Sequence, residues 1–206
     1  VLAGDLFRDP TSGCYEGWEN PSGMNRQAWG WGVVALDVNA DGWMDVSWTG
    51  NSCDAPMTII WDEERGAGPG ALLINAEGTG FVDRTWESGT ANVDSEGRYV
   101  DGRGVATGDL NNDGYPDLVI ANRSYNPTQS DPLAQEPGVP QVWLSKPRDG
   151  HWLRIDLEGT QSNKDAIGSR VTVDVGTHLI GRILGAGGAT NSANERTILI
   201  LSLIHI

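Results

Sequence analysis

The chain alternates short apolar runs with acidic, glycine-containing turns, and no long segment of it shows helical periodicity. Residues 32–51 read GVVALDVNADGWMDVSWTGN and residues 104–123 read GVATGDLNNDGYPDLVIANR. The offset is 72 residues, and Gly, Val, Asp, Asn, Asp, Gly and Asp recur in register. In each copy apolar positions alternate on both sides of an Asp/Asn/Gly cluster, which predicts a strand, a tight turn and a second strand. The second strands begin at Asp45-Val-Ser-Trp48 and Asp117-Leu-Val-Ile120.

After the first copy, Ala71-Leu-Leu-Ile-Asn75 and Gly80-Phe-Val-Asp83 predict two more short strands around the turn-forming Ala76-Glu-Gly-Thr79. Four strands per unit is the pattern of a propeller blade. After the second copy a proline-rich stretch leads to Gln141-Val-Trp-Leu-Ser145. From His151 the texture changes, and 152–157, 170–175 and 179–184 read as three further strands. A module boundary is expected in the proline, charge and glycine cluster at Lys146–Gly150. The expected architecture is all-β, with about two propeller-type blades over 1–147 and a small β-rich module over 148–200.

The two turns carry the chemistry. They are Asp37-Val-Asn39-Ala-Asp41-Gly42-Trp43-Met-Asp45 and Asp109-Leu-Asn111-Asn-Asp113-Gly114-Tyr115-Pro-Asp117. Oxygen-bearing side chains stand at positions 1, 3, 5 and 9, with glycine at position 6 where a sharp turn is needed. Calcium takes six to eight hard oxygen ligands, and a tight loop with alternate side chains turned inward supplies them. Asp37, Asn39, Asp41 and Asp45 are therefore candidate ligands of one ion, and Asp109, Asn111, Asp113 and Asp117 of a second. Trp43 and Tyr115 at position 7 would add backbone carbonyls, leaving their rings to pack elsewhere. An EF-hand is excluded, because its position 12 glutamate is replaced by Trp48 and Ile120 and the flanks are strand-like. Asp, Asn and Gly also make good turns without metal, which explains one such loop more easily than a matched pair.

Composition narrows the partners. With 28 acidic and 14 basic residues the formal charge is −14, which disfavours nucleic acid and leaves divalent cations, basic proteins and neutral glycans. No apolar run approaches the roughly 20 residues of a membrane span. Cys14 and Cys53 either pair, in an oxidising compartment, or are two separate thiols.

These residues resemble the FG-GAP/VCBS repeat of β-propeller proteins over about 28–145. Beyond it, His151-Trp-Leu153, Leu157-Glu-Gly159, Ser162-Asn163-Lys-Asp165 and Ile167-Gly168-Ser-Arg170-Val171 are similar to the ASPIC/UnbV domain. The combination resembles the cartilage acidic protein family and its bacterial relatives. The resemblance implies a calcium-binding module of an extracellular, cell-surface or periplasmic protein that contacts a protein or a glycan. The alternative is a secreted carbohydrate-active enzyme, a glycosidase or lyase on a propeller scaffold.

No nucleophile motif supports an enzyme, and Gly185-Ala-Gly-Gly-Ala189 lacks the lysine of a phosphate-binding loop. His151 and His178 are expected to be structural. The nine tryptophans are expected to pack between blades, with a minority open to sugar stacking. Val1 reads as mid-domain sequence, and Leu201-Ser-Leu-Ile-His-Ile206 resembles a translated library adapter. The chain is therefore expected to be cut at both ends, with 201–206 a foreign tail outside the fold. The alternative for that tail is a natural apolar segment.

Overall fold

The computed structural model describes residues 28–52, 70–97, 100–123, 137–148, 150–176, 178–189 and 192–202. Cys14 and Cys53 lie outside them. Among the described residues the chain is all-β, without a helix and therefore without one long and apolar enough to cross a membrane.

The first repeat copy folds as a four-stranded antiparallel meander in the order β1 (Ala28–Leu36), β2 (Asp45–Ser52), β3 (Ala71–Asn75) and β4 (Phe81–Asp83). The second forms β5 (Gly102–Gly108), β6 (Asp117–Asn122) and β7 (Gln141–Trp143), also an antiparallel meander. The 72-residue repeat extends to pairing register. Leu36 faces Asp45 as Gly108 faces Asp117, and Val33 faces Trp48 as Val105 faces Ile120. Even the irregularity recurs, at Gly30/Gly32 in one copy and Gly102/Gly104 in the other. A bulge bends a strand and sharpens its twist, so both sheets carry the same bend at the same place.

The two sheets pack through their first strands. Val34 and Leu36 of β1 join Val105, Leu118 and Ile120 in one buried cluster, with Trp143 against it. Gly32 permits this approach, since a Cβ there would stand 2.9 Å from Val105 Cγ1 and 3.0 Å from Val105 N. The expectation that the tryptophans pack between blades fails for four of those described. Trp31, Trp43, Trp86 and Trp152 are exposed. Trp31 supports the Arg103 guanidinium 4.2 Å above its ring instead.

The C-terminal strands are β8 (His151–Ile155), β9 (Arg170–Asp174), β10 (Leu179–Ile183) and β11 (Ile198–Ser202). β9 and β10 pair as a hairpin, while β8 pairs with β11. Their apolar faces meet in a second core of Ala166, Val175, Ile180, Leu184, Ile198 and Ile200.

The expectation that 201–206 stands outside the fold fails at its first two residues. Leu201 pairs with Trp152 and is 1% exposed, and Ser202 pairs with His151. All four residues of Ile198–Leu201 are apolar, so the strand finds cover on both faces, Ile198 and Ile200 in the second core and Leu199 and Leu201 against Ala40 and Tyr115. Residues 203–206 lie outside the described residues.

Candidate metal centres

Each acidic loop is the turn joining the first two strands of its sheet, β1 to β2 and β5 to β6. Position 9 of each loop is also the first residue of the following strand, so the ladder anchors that carboxylate. Positions 4 and 6 adopt left-handed backbone, with φ of 62° at Ala40 and 58° at Asn112, then 87° at Gly42 and 88° at Gly114. This is why glycine recurs at position 6. Asn112 tolerates the same region more easily than Ala40 does.

Within the first loop the Asp37 carboxylate accepts the N–H groups of Asp41 (3.1 Å) and Gly42 (3.0 Å). Asn39 Oδ1 accepts the Asp41 N–H at 3.3 Å. The Asp41 carboxylate accepts the Trp43 N–H at 2.8 Å and the Asn39 side-chain amide at 2.7 Å. Asp45 accepts the N–H of Val38 at 2.9 Å and, from the neighbouring strand, that of Asn75 at 2.8 Å.

The second loop repeats every one of these bonds. Asp109 accepts from Asp113 and Gly114 at 3.0 and 2.9 Å, and Asn111 from Asp113 at 3.2 Å. Asp113 accepts from Tyr115 and Asn111 at 2.9 and 2.8 Å. Asp117 accepts from Leu110 and Ser145, both at 2.8 Å. Equal sequence positions thus give equal geometry in two separate settings. Several of these bonds are the side chain-to-backbone bonds that Asp and Asn make in turns, repeated because the sequence is repeated.

The position 7 rings leave the loops. Trp43 stacks on His178, with ring centroids 6.5 Å apart and planes 16° from parallel. Tyr115 is buried, and its hydroxyl donates to the Arg148 carbonyl at 2.8 Å.

Asp45 and Asp117 are 0% and 1% exposed, and Asp37 and Asp109 are also buried. Among the described residues no three carboxylate, imidazole or thiolate groups form a ready metal cage. The loop oxygens are turned on the loops' own N–H groups. In donor chemistry they still suit a hard cation. Every side-chain donor is oxygen, and a carboxylate oxygen holding one N–H keeps a further lone pair.

The electrostatics of the first loop also favour a cation. Burial pushes the Asp37 carboxyl up from 3.8 to about 7; Arg182 opposes the shift, and the charges of Asp41 and Asp45 add to it. Burial likewise raises Asp45 to about 6, against the N–H bonds from Asn75 and Val38, with Asp41 adding to the rise. A carboxyl raised by folding binds more protons in the folded state than in the unfolded one between its two pKa values. Stability without metal is therefore expected to fall as pH rises from about 4 to about 7. Urea midpoints in calcium-free buffer at pH 5 and pH 8 test this. The midpoint should be higher at pH 5, and Asp37→Asn should narrow the difference. A midpoint that rises with pH would contradict the loop electrostatics.

Sequence reading missed a set of C-terminal residues that cover both loops. Arg182 of β10 donates to Asp37 Oδ2 at 3.3 Å and to the Gly42 carbonyl at 3.2 Å. At the second loop, Glu195 accepts the Asp109 N–H at 2.8 Å, and its own N–H donates to Thr107 O at 3.0 Å. The Trp152 ring lies against Gly114. Leu201 packs with Ala40 of one loop and Tyr115 of the other. A cavity of about 310 Å³ remains between the loops and these strands, with Asp37, Arg182, Glu195 and Leu199 in its wall. These contacts join residues 38 to 161 positions apart, and no local spacing announces such partners.

No curated protein matches the chain. The family model of the FG-GAP repeat matches residues 102–132, the stretch that carries β5, the second acidic loop and β6.

Proposed function

We propose that this chain is a calcium-binding propeller-type module, with one ion in each acidic loop. The observation that carries the reading is the duplication itself: two loops share the same oxygen positions, the same left-handed residues and the same hydrogen bonds. Asp37, Asn39, Asp41 and Asp45, with the Trp43 carbonyl, would hold the first ion. Asp109, Asn111, Asp113 and Asp117, with the Tyr115 carbonyl, would hold the second. A bound ion supplies positive charge that relieves the repulsion among three acidic groups and stiffens the hairpin around it.

The match to the FG-GAP repeat supports the propeller reading of the second copy, and the first copy follows it by register. The segment from His151 resembles the ASPIC/UnbV domain in the residues quoted above. The module so assigned belongs in an extracellular, cell-surface or periplasmic protein, where millimolar calcium suits sites of modest affinity. Its surface would contact a protein or glycan.

Extracellular sites of this kind have Kd of about 10⁻⁴–10⁻³ M. At millimolar calcium, binding to the folded state alone then stabilises each site by about 0.4–1.4 kcal/mol. Calorimetric titration and thermal melting of the whole chain are the test. Calcium should bind and raise the melting temperature, magnesium should do so less, and chelator should reverse the effect. An unchanged melting temperature across a millimolar titration, with no heat of binding, would refute the assignment.

A further inference from the structure

The two loops agree in every internal hydrogen bond, yet they differ in what lies on them. At the first loop a single Arg182 nitrogen stands 3.3 Å from Asp37 Oδ2 and 3.2 Å from the Gly42 carbonyl. That ion pair is shielded, with the two side chains 12% and 2% exposed. At the second loop the nearest guanidinium, Arg154, is held by carboxylates outside the loop. It pairs with Glu195 at 2.8 Å and Asp156 at 3.5 Å, reaches the Asn112 side-chain oxygen at 3.5 Å, and interacts with the Asp109 carboxylate more weakly than with those two acids. Glu195 adds a further negative charge there, accepting from the Asp109 N–H. The first loop thus has three carboxylates set against one guanidinium. The second has three carboxylates beside an arginine already neutralised by acidic partners of its own.

We propose that Arg182 is a built-in counter-cation of the first loop, so that the two loops bind divalent cations with unequal affinity and the second fills first. This rests on the calcium reading above. An ion entering the first loop meets a positive group already on the position 1 carboxylate, and must displace it or share the carboxylate with it. Both options weaken binding. The neighbouring cavity, whose wall includes Asp37 and Arg182, gives a displaced guanidinium somewhere to go. Because Arg182 comes from β10, filling the first loop also loosens one tie between the C-terminal strands and the first sheet, whereas filling the second leaves the Glu195 and Trp152 contacts in place.

Single-loop backgrounds make this measurable. Asp113→Ala leaves only the first loop competent, and Asp41→Ala leaves only the second. Calcium calorimetry on the whole chain should give a Kd at least about tenfold weaker in the Asp113→Ala protein than in the Asp41→Ala protein. Adding Arg182→Gln should tighten binding several-fold in the Asp113→Ala background and leave the Asp41→Ala background unchanged. Arg182→Lys keeps the charge and should keep the weak site, which separates charge from loss of packing. Circular dichroism of each variant confirms that it folds. Equal affinities in the two backgrounds, or no tightening with Arg182→Gln in a folded protein, overturn this proposal while leaving the calcium reading intact. Absence of binding in both backgrounds overturns both.

Discussion

Asp117→Ala is expected to destabilise the calcium-free protein by about 3 kcal/mol, because two N–H donors lose their acceptor at once. The Asp117 carboxylate is almost fully buried and accepts from Leu110 in its own loop and from Ser145 beyond β7. One side chain thus fixes the turn and ties a third segment of the sheet to it, as Asp45 does through Val38 and Asn75. For a chain of this size such a loss lowers the melting temperature by roughly 6–12 °C. Asp113→Ala is the contrast. Asp113 is partly exposed and bonds only within its loop, so its removal should cost about 1 kcal/mol or less, the lost bonds being offset by relieved repulsion. Position 9 is therefore both a ligand and a structural strut, while position 5 is principally a ligand. Equal calcium-free midpoints for the two variants would show that the strut role is wrong.

Gly114→Ala is the second large effect, and it acts by shape rather than charge. A Cβ there would overlap three atoms of the Trp152 ring, in a backbone with φ of 88°. The left-handed conformation costs about 1–2 kcal/mol for a residue with a side chain. Moving the indole off the loop adds a similar amount, for a total of about 2–4 kcal/mol. Gly42→Ala shares the backbone cost, but the atoms nearest its Cβ would be Ile180 Cδ1 at 3.1 Å and His178 Nε2 at 3.2 Å. Those side-chain ends can yield, so the loss should be near the lower figure. The double variant Gly114→Ala/Trp152→Ala isolates the clash, since without the ring only the backbone cost remains. Denaturant midpoints that show additive losses would place Trp152 elsewhere.

The repeat, both loops and the strands around them were legible because their signals are local. An Asp-x-Asn-x-Asp-Gly run states its own turn, and alternation states the strands beside it. The strands at Ala71–Asn75 and Gln141–Trp143 followed from short apolar runs between turn residues. Ile198–Leu201 lies beyond the last strand the sequence predicts, 179–184. With nothing polar to alternate against, its period is invisible, and its role as β11 depends on β8 lying beside it. Arg182, Glu195 and Trp152 were illegible for a related reason. Each acts on a loop whose sequence is complete without it, and only the fold brings them there. What covers a loop is a tertiary fact.

The pairing of β8 with β11 also sets a clock. The β9–β10 hairpin closes between near neighbours such as Asp174 and Leu179, an event of about 1–10 μs once both strands exist. β8 has no such partner at hand, for Leu153 pairs with Ile200. At a synthesis rate of about 5–20 residues per second, the intervening segment takes roughly 2–10 s to emerge from the ribosome. For that interval Trp152 and Leu153 belong to an open strand edge, the kind of surface that captures strands from other chains. Crowded expression should therefore favour association of unfinished chains through β8, and slower initiation, which spaces ribosomes apart, should improve the yield of folded protein.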